Sequence, residues 1–310
     1  MNEDTEYTKI ILVDGISFTG DVIDQKIGNY TLKKATYTNC EILDDGTLFD
    51  LIKKWDPYEL INRKVEYYYL EKGIDSCPEK DTSNYKPLDK DDLDIVASFN
   101  LIGFYDFTID AVFIFKNKSS INPTKSGIRY QFMYLPGFSE KDYPLKINKD
   151  NIKSIKKIND ILFNIRDEDD KWKFVLGYLN GFWIRAMIPQ FIYKMAVLES
   201  LIGGNSELSF RLSRSIAILI GKDEENSEDV FNSFKKIYSK RSNFLHGSNS
   251  KDEIQFGDYK KLSEYLIEIM LIIINPNVNI KDIYEVPKIY GFGSHPFEPI
   301  IEIDFYATDT

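Results

Sequence analysis

Glu228-Asp229-Val230-Phe231-Asn232-Ser233-Phe234-Lys235-Lys236-Ile237-Tyr238-Ser239-Lys240-Arg241-Ser242-Asn243-Phe244-Leu245-His246-Gly247 decides how the chain is read. Val230, Phe234, Ile237 and Phe244 step by four, three and seven, the spacing of one face of an α-helix. Glu228 and Asp229 stand in the first turn, where the helix dipole favours acids; Asn226 or Ser227 can cap it, and Gly247 lies beyond its end. Arg241 falls inside the apolar stripe. An arginine there must be paired, solvated in a groove or set at an interface, because an unpaired buried charge is very costly. His246 occupies the final turn, and five residues at about 100° each put it about 140° from Arg241. One straight helix therefore does not aim both side chains at one atom. Either the helix frays at Gly247, or a second helix or a second chain completes the site.

The helical period extends outward on both sides, beginning after about Asn148. Asp167-Glu168-Asp169-Asp170 precedes Trp172, Val175, Leu176 and Leu179, a helix start favoured by the dipole. Pro189 kinks or restarts that helix, which runs on to Gly203-Gly204. Ser206 can cap the next, ending near Gly221, and Gly257-Asp258 opens another from Tyr259 to roughly Asn275. Four or five helices with short connections predict an antiparallel bundle. The Pro- and Gly-rich tail from Asn277 reads as extended coil with a last strand at Ile300–Ile303.

Upstream the period is shorter. Lys9–Val13, Tyr30–Lys33, Lys64–Tyr69, Asp94–Phe99, Ala111–Phe115 and Ile128–Tyr134 are β-branched or aromatic runs. Asp14-Gly15, Gly28-Asn29, Asp45-Gly46, Lys72-Gly73 and Pro136-Gly137 read as turns, and Cys77 to Asp92 as a long surface loop. The predicted fold class is α+β, with a β-rich domain at 1–148, a helical domain at 149–276 and an extended tail at 277–310.

Composition narrows the function. Of 310 residues 43% are hydrophobic and 28% charged, ordinary globular usage that excludes disordered and fibrous classes. The longest apolar run, Ile269–Ile274, is far short of the roughly 18 residues a membrane span needs, and Met1-Asn2-Glu3-Asp4 does not resemble a secretory signal. A cytoplasmic protein with no membrane partner is the expectation. Cys40 and Cys77 cannot build a disulfide framework, and with His246 and His295 the only histidines no metal or cofactor is expected. The acids at 167–170 are better read as a helix start than as metal ligands. Net charge is −10, which argues against broad nucleic-acid coating. Residues 171–250, however, hold eleven Lys/Arg against seven Asp/Glu, and 230–251 hold five cations and no acid. An anionic substrate would be met there.

Three segments in order resemble the ApeA-like HEPN domains of prokaryotic anti-phage, abortive-infection proteins. Lys236–Gly247 looks like that family's run of Tyr, a short gap, Arg-Ser, three residues and His-Gly. Met195–Ile202 resembles its Leu-Glu helix, and Ser209–Gly221 its following Arg-containing helix. The resemblance covers roughly residues 172–275; Ser242 departs from broader HEPN nucleases, where Asn or Asp often follows the arginine. It implies a HEPN-like bundle that dimerises and cleaves RNA, tRNA being one candidate, without metal. The ribose 2′-OH would attack phosphorus and leave a 2′,3′-cyclic phosphate. Arg241 and His246 would be catalytic, the arginine holding phosphate oxygens and the histidine exchanging protons near neutral pH. Asn243, Glu199, Lys240, Lys236 and Arg214 would support them or bind substrate. The β-rich domain would sense a phage-derived or nucleotide trigger.

Plainer readings stand beside these. A histidine before a C-terminal glycine is favoured by the helix dipole alone, Glu199 can hold Arg241 in a structural ion pair, and Arg211 and Arg214 can be snorkelling arginines. A non-catalytic HEPN module binding RNA, nucleotide or a protein is the rival of a different class. A β-rich ligand-binding protein whose helices only dimerise is the third.

Overall fold

A computed structural model describes residues 7–14, 16–18, 22–36, 66–75, 88–103, 108–116, 130–133, 145–166, 169–181, 186–201, 207–247 and 253–303. The chain is an α+β protein, with antiparallel strands in its N-terminal part and helices mostly in its C-terminal part. It divides into two compact units: residues 1–92 with 107–153, and residues 93–106 with 154–310.

The first unit holds β1 (Tyr7–Asp14), β2 (Ile16–Phe18), β3 (Lys26–Ile27), β4 (Tyr30–Thr36), β5 (Glu66–Ile74), β6 (Thr108–Lys116), β7 (Tyr130–Met133) and β8 (Leu145–Ile147). Six of them form one antiparallel sheet in the order β3-β4-β5-β1-β6-β7, and β2 pairs with β8 in parallel. β1 is central because Ile10-Ile11-Leu12-Val13 is apolar on both faces, and all four side chains are buried. Its register sets Ile11 opposite Leu70 on one side and Val112 on the other. Gly28-Asn29 makes the expected two-residue turn, with Ile27 opposite Tyr30. Lys72-Gly73 does not turn. It lies inside β5, where Gly73 pairs with Thr8. The expected turns at Asp45-Gly46 and Pro136-Gly137, both cysteines and most of the loop from Cys77 fall outside the described residues.

The expected strand at Asp94–Phe99 is instead part of helix α1 (Lys90–Asn100). Asp89 and Asp92 cap it reciprocally: each backbone N–H donates to the other's carboxylate, at 2.6 and 3.0 Å. Asp92, Ile95, Val96 and Phe99 then recur at helical spacing, all buried. The apolar stripe begins with a charged residue, which is why a pattern search passes over it. At the first turn Asp92, wholly buried, accepts from Lys9 Nζ and Tyr30 Oη. Lys72 Nζ binds Asp89 at 2.9 Å and lies 4.8 Å from the centre of the Tyr30 ring. Burial pushes the Asp92 carboxyl up, against the pull of Lys9.

The remaining helices are α2 (Lys149–Ile165), α3 (Asp169–Asn180), α4 (Met187–Ser200), α5 (Leu208–Ile220), α6 (Glu224–Leu245), α7 (Phe256–Ile273) and α8 (Ile280–Ile289). Asn148, where the period changes, caps α2 by accepting from the N–H of Asp150 and Asn151. In the second unit α4 and α5 pack on α7, α5 runs beside α6, and α8 packs on α5. From Leu262 on α7 is buried nearly all round, with Leu262, Leu266, Ile269, Met270 and Ile273 at most 1% exposed, as befits the helix at the centre of a core. The tail is not wholly extended. Asn279 caps α8 by accepting from the Lys281 N–H, and Ile283 and Val286 are buried. Nor does Ile300–Ile303 form a strand; the Ile300 N–H donates to Leu271 O and its carbonyl accepts from Lys157.

Gly221 joins α5 to α6 because no side chain fits. A β-carbon there would strike the Ala217 carbonyl and the Cα and hydroxyl of Ser227, itself fully buried. Gly221→Ala should cost about 1–3 kcal/mol, read as a lowered denaturation midpoint. An unchanged midpoint would show that the connection can widen freely.

Candidate functional site

α6 starts earlier than its sequence suggests. Asp223 is the N-cap, accepting from the Asn226 N–H at 2.7 Å, so neither Asn226 nor Ser227 plays that part. Ser227 turns inward and its hydroxyl accepts from the Gly293 N–H at 3.0 Å. The helix continues unbroken to Leu245, with His246 as its C-cap and Gly247 beyond at φ 65. The glycine thus takes a left-handed conformation that stops the helix without fraying it.

Val230, Phe234 and Ile237 are buried as the stripe requires, and Arg241 follows them half-buried. Its guanidinium donates to Glu199 Oε2 at 3.1 Å from α4, and lies 5.7 Å from the centre of the Tyr238 ring. The pair is incompletely satisfied: Arg241 Nε and Glu199 Oε1 are both buried without a hydrogen-bond partner. Phe244, the last residue of the predicted stripe, is 51% exposed, because α6 there has run past the helices that cover its earlier turns. Leu245 (49%) and Phe256 (41%) are exposed nearby in sequence and at the start of α7. His246 is exposed, and the continuous helix keeps it about 140° round the axis from Arg241.

The other expected residues are dispersed. Asn243 is half-buried on α6 and Lys236 is exposed. Lys240 is held by Asp258 of α7 at 2.8 and 3.0 Å. Arg214 on α5 donates to the carbonyls of Pro287 (3.3 Å) and Tyr290 (3.1 Å), tying down the end of α8. Glu199, expected as a structural partner of Arg241, is paired with it. Tyr238, the tyrosine of the quoted Arg-Ser motif, carries no role in the sequence reading and lies one turn before Arg241. Burial first, then the neighbouring Glu199 carboxylate, raise the Tyr238 phenol above its ordinary pKa, so it stays a hydrogen-bond donor.

Glu268 on α7 was also missed, since a glutamate in an apolar helix carries no local motif. Burial pushes its carboxyl up to about 7; Lys261 opposes the shift and Glu264, one turn earlier, adds to it. Its charged form is thus disfavoured in the fold. The neutral form is free of penalty below the ordinary glutamate value, and stability falls as pH rises towards and through about 7. Glu268→Gln should remove this decline, gaining on the order of 2–3 kcal/mol over wild type at pH 8 and nothing at pH 4. Parallel melting curves for the two proteins across that range would contradict the assignment.

Among the described residues no group of three or more His, Cys, Asp and Glu could hold a metal ion, and no helix is long and apolar enough to cross a membrane. No protein-family model, curated protein or solved structure matches the chain.

Proposed function

We propose that the chain is a metal-independent endoribonuclease of a prokaryotic anti-phage system, built on a HEPN-like antiparallel helical bundle and acting as a cytoplasmic homodimer. The sheet unit would sense the trigger. The observation that carries this reading is the Arg241–Glu199 pair. It fixes a guanidinium whose side chain is still 21% exposed, and a phosphate oxygen would meet that exposed part, since the Nε–H itself lies under the surface.

In the proposed step the substrate 2′-OH loses its proton and O2′ bonds to phosphorus. The P–O5′ bond then breaks, and O5′ leaves with a proton. Arg241 holds the non-bridging oxygens and stabilises the negative charge they gain. His246 takes the 2′-OH proton or delivers one to O5′. Their separation on a continuous helix argues that two copies share the work, with Arg241 of one copy and His246 of the other facing one cleft. Exposed Phe244, Leu245 and Phe256 offer apolar surface for such a contact.

That same separation favours the second reading, a non-catalytic module that binds RNA, nucleotide or a protein through α6. Expression in a bacterial host distinguishes them. Wild-type chain should be toxic and His246→Ala harmless; equal growth of the two would favour the binding module.

A further inference from the structure

Phe210, on α5, is 48% exposed, yet it belongs to a chain of rings rather than to the core. It meets Phe231 of α6 edge-on at 5.6 Å, and Phe231 meets Phe292 of the tail at 5.7 Å. Cations sit over these rings. Lys235 Nζ is 5.8 Å from the centre of Phe231 and the Arg214 guanidinium 5.5 Å from that of Phe292. Arg214 and Gly293 fasten the tail, so Phe292 is held in place rather than loosely packed.

The cluster is aligned with the site already described. At 100° per residue Phe231, Lys235, Tyr238 and Ser242 fall within about 60° of one another on α6, with Arg241 on one flank of that stripe and His246 on the other. Phe231 and Arg241 are about 15 Å apart along the helix axis. Of the cations on α6, Lys235 lies on the stripe and is exposed, Arg241 flanks it, and Lys236 and Lys240 fall on other faces of the helix. One exposed ring backed by two partly buried ones, beside Lys235 and Arg214, matches a single strand whose bases stack while its phosphates meet the cations.

We propose that Phe210, Phe231 and Phe292 form a stacking platform for bases of single-stranded RNA, placed on the stripe of α6 that leads to Arg241. The inference rests on the ribonuclease reading for its ligand, but it concerns binding and not cleavage. Fluorescence anisotropy with full-length protein and a labelled eight-nucleotide 2′-O-methyl oligouridine tests it, because that probe lacks the attacking hydroxyl and stays intact. Phe210→Ala should weaken binding about tenfold and Phe210→Tyr should bind as wild type. An abasic strand of the same length should bind wild type about tenfold more weakly than oligouridine and lose nothing further in Phe210→Ala. No binding by wild type, equal affinity of wild type and Phe210→Ala, or equal affinity for the two strands would overturn the platform. So would a Phe210→Ala protein that loses dimerisation but keeps its affinity, since the face would then be a contact between copies. Cleavage assays report separately: binding as described without any cleavage would sink the nuclease and spare the platform, and cleavage with unchanged Phe210→Ala binding would do the reverse.

Discussion

Arg241→Ala and His246→Ala should each lower RNA cleavage by about 10²–10⁴-fold, the usual cost of losing one proton-transfer or charge-stabilising group. Both should keep the fold. His246 is exposed, so truncating it leaves no cavity. Arg241 is only half-buried, and its loss frees Glu199 to meet water. The arginine also separates chemistry from structure: Arg241→Lys keeps the charge towards Glu199 but lacks the planar fork, so it should melt like wild type and cleave poorly. Full activity in folded His246→Ala would remove the mechanism proposed for this site.

Asp92→Ala should be the most damaging single change in the sheet unit, costing about 3–5 kcal/mol. The carboxylate is wholly buried and accepts from Lys9, Tyr30 and the Asp89 N–H, so its removal leaves buried Lys9 only the longer Asp89 contact at 3.5 Å and takes the acceptor from the Tyr30 phenol. Asp92→Asn keeps the shape and an acceptor oxygen while losing the charge, and should cost less. Backbone hydrogen exchange of β1 and β5 reports the change directly. Unaltered protection in Asp92→Ala would show that Asp89, already bound to Lys72, carries the helix start alone.

What was legible in the sequence follows from where side chains meet simple patterns. β1 could be read because four consecutive residues are apolar, and α6 because its stripe is regular for two turns. That Arg241 needs a partner was readable because the arginine interrupts an apolar face. α1 was not, since its stripe starts at Asp92 and its content of Ile95, Val96 and Phe99 suits a strand equally well. α8 hid behind prolines: Pro287 lies in its last turn, and only the Asn279 cap marks its start. Phe244 failed for a different reason. Periodicity says which face a residue occupies but not where the neighbouring helix ends. Arg214 was ambiguous because its acceptors are backbone carbonyls, which have no sequence signal.

The most direct test of the central claim is the chemistry of the cut ends. Purified full-length protein, incubated with RNA in excess EDTA, should leave 2′,3′-cyclic phosphate and 5′-OH termini, and His246→Ala should leave the RNA whole. RNA retained uncut by wild type, termini bearing 5′-phosphate, or equal cutting by His246→Ala would contradict the account.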